Sequence, residues 1–143
     1  MIFKASDLNL KFLKNRAKAE AEEIYHSGSA ASVKGRTLMQ IFQSSLYGQA
    51  AEVYLIEKHG FTDNPKKYKD LFDTKGREVE VKVTSRSKIK DKLIECTENK
   101  WRIADILYIF IGDFQTAEYS LYGIYEWNKQ NKQFILQNNE SVV

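Results

Sequence analysis

Apolar residues recur along this chain with two different periods, and the switches between them divide it into elements. Over residues 7–25, Leu8, Phe12, Leu13, Ala17, Ala21 and Ile24 fall three and four apart, with Lys11, Lys14, Arg16 and Lys18 elsewhere. That spacing predicts an amphipathic helix with Asp7 as its cap and four cations on a solvated or phosphate-facing side. A small, polar stretch over 26–36 breaks the pattern and reads as a loop carrying Lys34 and Arg36. The helical period returns over 37–59 with Leu38, Ile41, Phe42, Leu46, Ala50, Val53 and Ile56, and Gly60 stands where helices usually end. Ser45, Gln49 and Glu52 line up beside that stripe at spacings of four and three.

The period then drops to two. Val79, Val81 and Val83 alternate with Glu78, Glu80, Lys82 and Thr84, the pattern of a half-buried strand with a charged face. Residues 68–72 are also strand-like, and Asp73, Thr74, Lys75 and Gly76 between the two carry turn chemistry, so a hairpin is expected. A three-residue loop with Gly76 left-handed sets Asp73 opposite Arg77, Phe72 opposite Glu78 and Asp70 opposite Glu80. Opposed β-carbons lie about 4.5–5.5 Å apart, so two carboxylates so placed repel until a cation offsets them. Magnesium suits the task, because it takes oxygen ligands from one or two carboxylates and completes its shell with waters and phosphate oxygens. Lys82 projects from the same face one pleat further on. A two- or four-residue loop would shift the register and separate the acids.

Beyond this strand, Thr84, Ser85, Arg86, Ser87 and Lys88 offer hydroxyl and cationic donors of the kind that contact phosphate oxygens. An amphipathic helix is expected over 88–100, with Ile89, Leu93, Ile94 and Trp101 on one side. Residues 104–111 form a nearly continuous apolar run, the mark of a strand buried on both faces. A tyrosine-rich strand over 118–127, a turn over 128–132, a last strand over 134–137 and a frayed tail from Asn138 complete the pattern. The order of elements gives an α/β fold, a mixed β-sheet flanked by helices.

At 143 residues the chain is most simply one domain. It divides into a helical extension over 1–36, a core over 37–111 and closing strands over 112–143. Cys96 is the lone cysteine, which excludes an intrachain disulfide or a cysteine-rich zinc site and fits a reducing compartment. No run of about eighteen apolar residues exists and the amino terminus lacks the build of a secretion signal, so a cytoplasmic or nuclear protein without a membrane partner is expected. The net charge of +3 is unevenly spread: 20 of the 22 basic residues lie in positions 1–102, so a polyanion would meet the front of the chain.

An acid in one strand followed about ten residues later by Glu-x-Lys in the next resembles the PD-(D/E)XK nuclease superfamily, the restriction-endonuclease-like fold. The matching residues are Asp70, Glu80, Val81 and Lys82, with Lys69 where the family often has proline; Glu52 matches the glutamate commonly carried by the family's first core helix. The resemblance covers about residues 37–111 and implies a Mg²⁺-dependent DNA endonuclease, with Mn²⁺ able to substitute. In that reading Asp70, Glu80 and the carbonyl of Val81 hold the ion. Lys82 orients or helps deprotonate the attacking water, and Glu52 binds a second ion or orders a water. Gln49, Thr84, Ser85, Arg86, Lys88, Lys34 and Arg36 are the candidate DNA contacts. A restriction or homing enzyme working as a homodimer or higher oligomer leads, with a Holliday junction resolvase as the alternative of the same fold. Two other classes stand beside it: a nucleic-acid-binding module without chemistry, and an interaction domain exposing Tyr119, Tyr122, Tyr125 and Trp127.

Overall fold

Thr37 and Gly60 bracket the longest helix, α2 (Leu38–His59). The Thr37 hydroxyl accepts from Gln40 N at 3.1 Å, the Gln40 side chain accepts from Thr37 N at 2.8 Å, and Gly60 ends the helix at φ 72°. The computed structural model describes residues 1–27, 33–65, 70–98 and 103–139. Residues 28–32 of the loop expected over 26–36, the segment 66–69 leading into the hairpin, Trp101 and the last four residues lie outside them; His26 and Ser27 of that expected loop belong to the first helix.

The first helix, α1 (Leu10–Ser27), starts later than its apolar period suggested. Its cap is Asn9, not Asp7: Asn9 Oδ1 accepts from Phe12 N at 3.1 Å, and Asn9 N donates to the Glu57 carboxylate at 3.1 Å, fastening the start of α1 to the end of α2. Asp7 instead accepts from Lys4 N and closes a short 3₁₀ turn over Ala5–Asp7. A first strand, β1 (Ile2–Lys4), precedes that turn. Three residues are too few to show a period, so the pattern missed it. Its Phe3 lies stacked between Tyr54, with ring centroids 4.1 Å apart, and Tyr119, 4.9 Å away. Such aromatic pairs contribute about 0.5–1.5 kcal/mol each beyond the area they bury.

Six more strands follow: β2 (Thr62–Asp63), also unforeseen, β3 (Leu71–Phe72), β4 (Glu78–Thr84), β5 (Ile106–Gly112), β6 (Glu118–Asn128) and β7 (Gln133–Asn139). They form one curled mixed sheet in the order β1-β6-β5-β4-β3-β2, with β7 also paired to β6. Only β4 and β5 run parallel. That parallel step requires a crossover, and it contains α3 (Ile89–Glu98), entered through a 3₁₀ turn at Arg86–Lys88.

Alternation along the strands separates two cores. Val79, Val81, Tyr108, Phe110 and Leu121 pack under α1 and α2, while Leu107, Ile109 and Tyr125 pack with Ile89 and Cys96 of α3. Strand β5 is buried on both faces, as its continuous apolar run predicts. Burying each such side chain contributes about 1.5–3 kcal/mol. The buried stripe of α3 includes Cys96 where Ile94 was expected, and Ile94 is exposed. Tyr119 and Tyr125 belong to the core, so an exposed patch made of all four C-terminal aromatics does not form. Among the described residues, no helix is long and apolar enough to cross a membrane.

Candidate functional site

Asp73 determines the hairpin geometry. Its Oδ1 accepts from the backbone N–H groups of Lys75 and Arg77, each at 2.9 Å, its Oδ2 accepts from Arg77 Nε at 2.8 Å, and Gly76 takes the left-handed conformation at φ 78°. The loop therefore has three residues. Leu71 lies opposite Val79 and Phe72 opposite Glu78, the expected register, and Asp70 comes just before this ladder.

At that position the side chain of Asp70 joins the edge of β4. Asp70 N donates to Val79 O at 3.2 Å, and Val81 N donates to Asp70 Oδ2 at 2.7 Å. Burial pushes the Asp70 carboxyl up to about 6; the Val81 hydrogen bond opposes that shift, and the charge of Glu80 adds to it. Glu80 is buried, with Oε1 3.4 Å from Lys82 Nζ. Burial pulls the Lys82 ammonium down, but Glu80, Cys96, Glu95 and Asp70 outweigh it and the net shift is upward. Lys82 is therefore a charged donor near neutral pH.

A second group of charges approaches from the helices. Glu52 is buried on α2; its Oε1 accepts from Arg16 Nη2 at 3.0 Å and its Oε2 from Gln49 Nε2 at 3.1 Å. Both oxygens accept, the pattern of an ionised carboxylate. Burial and the charge of Asp70 nonetheless push its pKa up, and Arg16 only partly counters them. Arg16 reaches further: Nε donates to Gln49 Oε1 at 2.9 Å and Nη1 to Asp63 Oδ1 at 2.6 Å. Gln49 Nε2 also donates to Glu20 Oε2 at 2.6 Å. Glu20 adds its charge to those acting on both Asp70 and Glu52. Asp70 and the helix acids thus share one field.

Pattern reading missed three of these participants. Arg16 was expected among the outward cations of α1, yet its side chain is 17% exposed and embedded among acceptors. Glu20 lies one turn beyond it, and that four-residue Arg–Glu spacing was the available signal. Asp63 belongs to a two-residue strand with no signature at all. Gln49, expected to hold either Glu52 or a DNA phosphate, is buried and holds Glu52, with Arg16 and Glu20 as its other partners.

Among the described residues, no three His, Cys, Asp or Glu side chains come together as a ready-made metal cage. The donor set that fits a hard cation is smaller: the carboxylates of Asp70 and Glu80 with the Val81 carbonyl. A strand residue's N–H and C=O leave on the same edge. Since Val81 N faces Asp70, its carbonyl does too. A buried Glu80 and a half-buried Asp70, the latter raised by burial and by the charge of Glu80, suit an oxygen-seeking divalent ion.

The other candidate contacts are spread around this centre. Ser85, Arg86 and Lys88 are exposed at the C-terminal end of β4, whereas Thr84 is buried. With Lys92, Tyr47 and Phe114 they line a groove of about 920 Å³. Lys34 is exposed before α2, and Arg36 folds back onto it, donating to Val33 O at 3.2 Å and Ser44 Oγ at 3.3 Å. At 1.5 Å per residue, Ser44, where the Arg36 guanidinium rests, lies about 12 Å along the helix axis from Glu52. No family model, curated protein or solved structure matches this chain.

Proposed function

We propose that this chain is a Mg²⁺-dependent DNA endonuclease of the PD-(D/E)XK, restriction-endonuclease-like kind, acting as a homodimer or higher oligomer. The observation that carries this reading is the convergence at the hairpin: Asp70 Oδ2 accepts from Val81 N at 2.7 Å, the charge of Glu80 acts on Asp70, and the Lys82 ammonium lies 3.4 Å from Glu80. Such an arrangement is costly for stability alone, because burial and a neighbouring like charge both disfavour the ionised carboxylate.

Asp70, Glu80 and the Val81 carbonyl would hold Mg²⁺, or Mn²⁺ in its place. When bound, the ion supplies a Lewis acid that neutralises charge on the scissile phosphate and acidifies the attacking water, worth several kcal/mol of barrier. Val81 N anchors Asp70 Oδ2 and so fixes the orientation of that carboxylate. Lys82, kept protonated by its acidic neighbours, donates to the phosphate or the attacking water and stabilises the charge that develops. Ser85, Arg86 and Lys88 meet the phosphate backbone beyond the site. Pairing of two chains supplies one such centre for each DNA strand.

Cleavage of supercoiled plasmid, a four-way junction and single strands, with and without Mg²⁺ or Mn²⁺, tests the reading. Asp70→Asn and Lys82→Ala should each lower cleavage by about a hundredfold or more, with DNA affinity held within about threefold. Undiminished cleavage in both variants would refute the assignment. Metal-independent DNA binding by the wild type without any cleavage would favour a binding module, and cutting confined to the junction would identify a resolvase.

A further inference from the structure

Glu52 stands beside the hairpin acids, where a third carboxylate could recruit a second ion. Its oxygens are already engaged: Arg16 holds Oε1 at 3.0 Å and Gln49 holds Oε2 at 3.1 Å. The guanidinium is held from three directions, by Gln49 and Glu52 of α2 and by Asp63 of β2. A planar, permanently charged fork bound at three nitrogens is a fixed part of the fold, with little freedom to swing aside. Its charge repels a divalent ion that approaches Glu52.

We infer that Arg16 serves as the permanent counter-cation of Glu52, so that the acid cluster takes one divalent ion, between Asp70 and Glu80, with Glu52 outside its ligand shell. This rests on the metal site proposed above and fixes its stoichiometry. Arg16 is then a positioning residue. It neutralises Glu52 and holds α1, α2 and β2 together around the cluster.

Calorimetric titration of the full chain with Mn²⁺ alone tests the inference without measuring cleavage. Wild-type protein should bind one ion per chain. Arg16→Gln frees Glu52 and should raise the count to two. The double variant Arg16→Gln/Glu52→Gln removes both charges together; it should bind one ion with an affinity within fivefold of wild type. Two ions on the wild type, or a loss of more than fivefold in the double variant, would overturn the inference, as would a folded Arg16→Gln that still binds one. If Arg16→Gln does not fold, the wild type and the double variant still decide the matter.

Asp70→Asn separates the two levels of the argument. Loss of Mn²⁺ binding there, with a single ion on the wild type, supports both. Wild-type affinity in Asp70→Asn would overturn the hairpin site itself. Absence of any Mn²⁺ binding by the wild type would overturn the site and the count together.

Discussion

Asp70 carries the most informative chemistry of any single residue. In the unfolded chain its carboxyl titrates near 3.8; in the fold it is pushed up to about 6, chiefly by burial. Between those values the folded state binds the extra proton, so this group makes stability fall as pH rises through that window. In EDTA, thermal unfolding should show declining stability from about pH 4 to about pH 6, and Asp70→Asn should flatten that limb. Cys96 shifts by burial as well, its thiol pushed up to about 12 with the charge of Glu80 adding to the effect. Because the thiolate is the reactive species, native protein at pH 8 should alkylate with iodoacetamide far more slowly than urea-unfolded protein. The nearness of Asp70, Glu80 and Lys82 was legible beforehand because a short loop and a two-residue period bring them together locally. Arg16, Glu20 and Asp63 were not, since their partners lie 29 to 47 positions away and only the docking of α1 on α2 brings them together.

Elements with strong local punctuation were legible for a similar reason. Thr37 and Gly60 fixed α2 almost to the residue, Gly76 fixed the hairpin, and an unbroken apolar run fixed β5. The strands that escaped, β1 and β2, have three and two residues and exist through their neighbours. The junction of β5 with α2 shows how closely such elements fit. A β-carbon on Gly112 would lie 2.8 Å from Tyr119 and 2.9 Å from both Tyr47 and Val83. The same glycine's carbonyl accepts from the Tyr47 hydroxyl at 2.7 Å, and the Tyr119 hydroxyl donates to Tyr47 O at 3.0 Å. Gly112→Ala should therefore cost about 1–3 kcal/mol through overpacking, read as a lowered denaturation midpoint in urea with an unchanged slope.

For the molecule as a whole, the candidate site draws on both the expected extension, through Arg16 and Glu20, and the expected core, through Gln49 and Glu52. A mixed sheet flanked by helices follows from the order of apolar periods. That β1 and β7 both pair with β6 could not, because pairing partners of short strands are not written locally. Bound metal would act on this whole assembly by mass action. At a free Mg²⁺ concentration a hundred times the dissociation constant, stability should rise by about 2.7 kcal/mol. Differential scanning calorimetry should record a higher midpoint in wild type and none of that gain in Asp70→Asn.

The placement of Arg16 and Glu20 on the first helix has a kinetic corollary. The hairpin can zip up early from neighbouring residues, but Asp70 acquires its full surroundings, the charge of Glu20 among them, only when the N-terminal helix docks. During refolding from denaturant, recovery of far-ultraviolet ellipticity should precede recovery of Mn²⁺ uptake, and the interval between the two signals times the arrival of that helix.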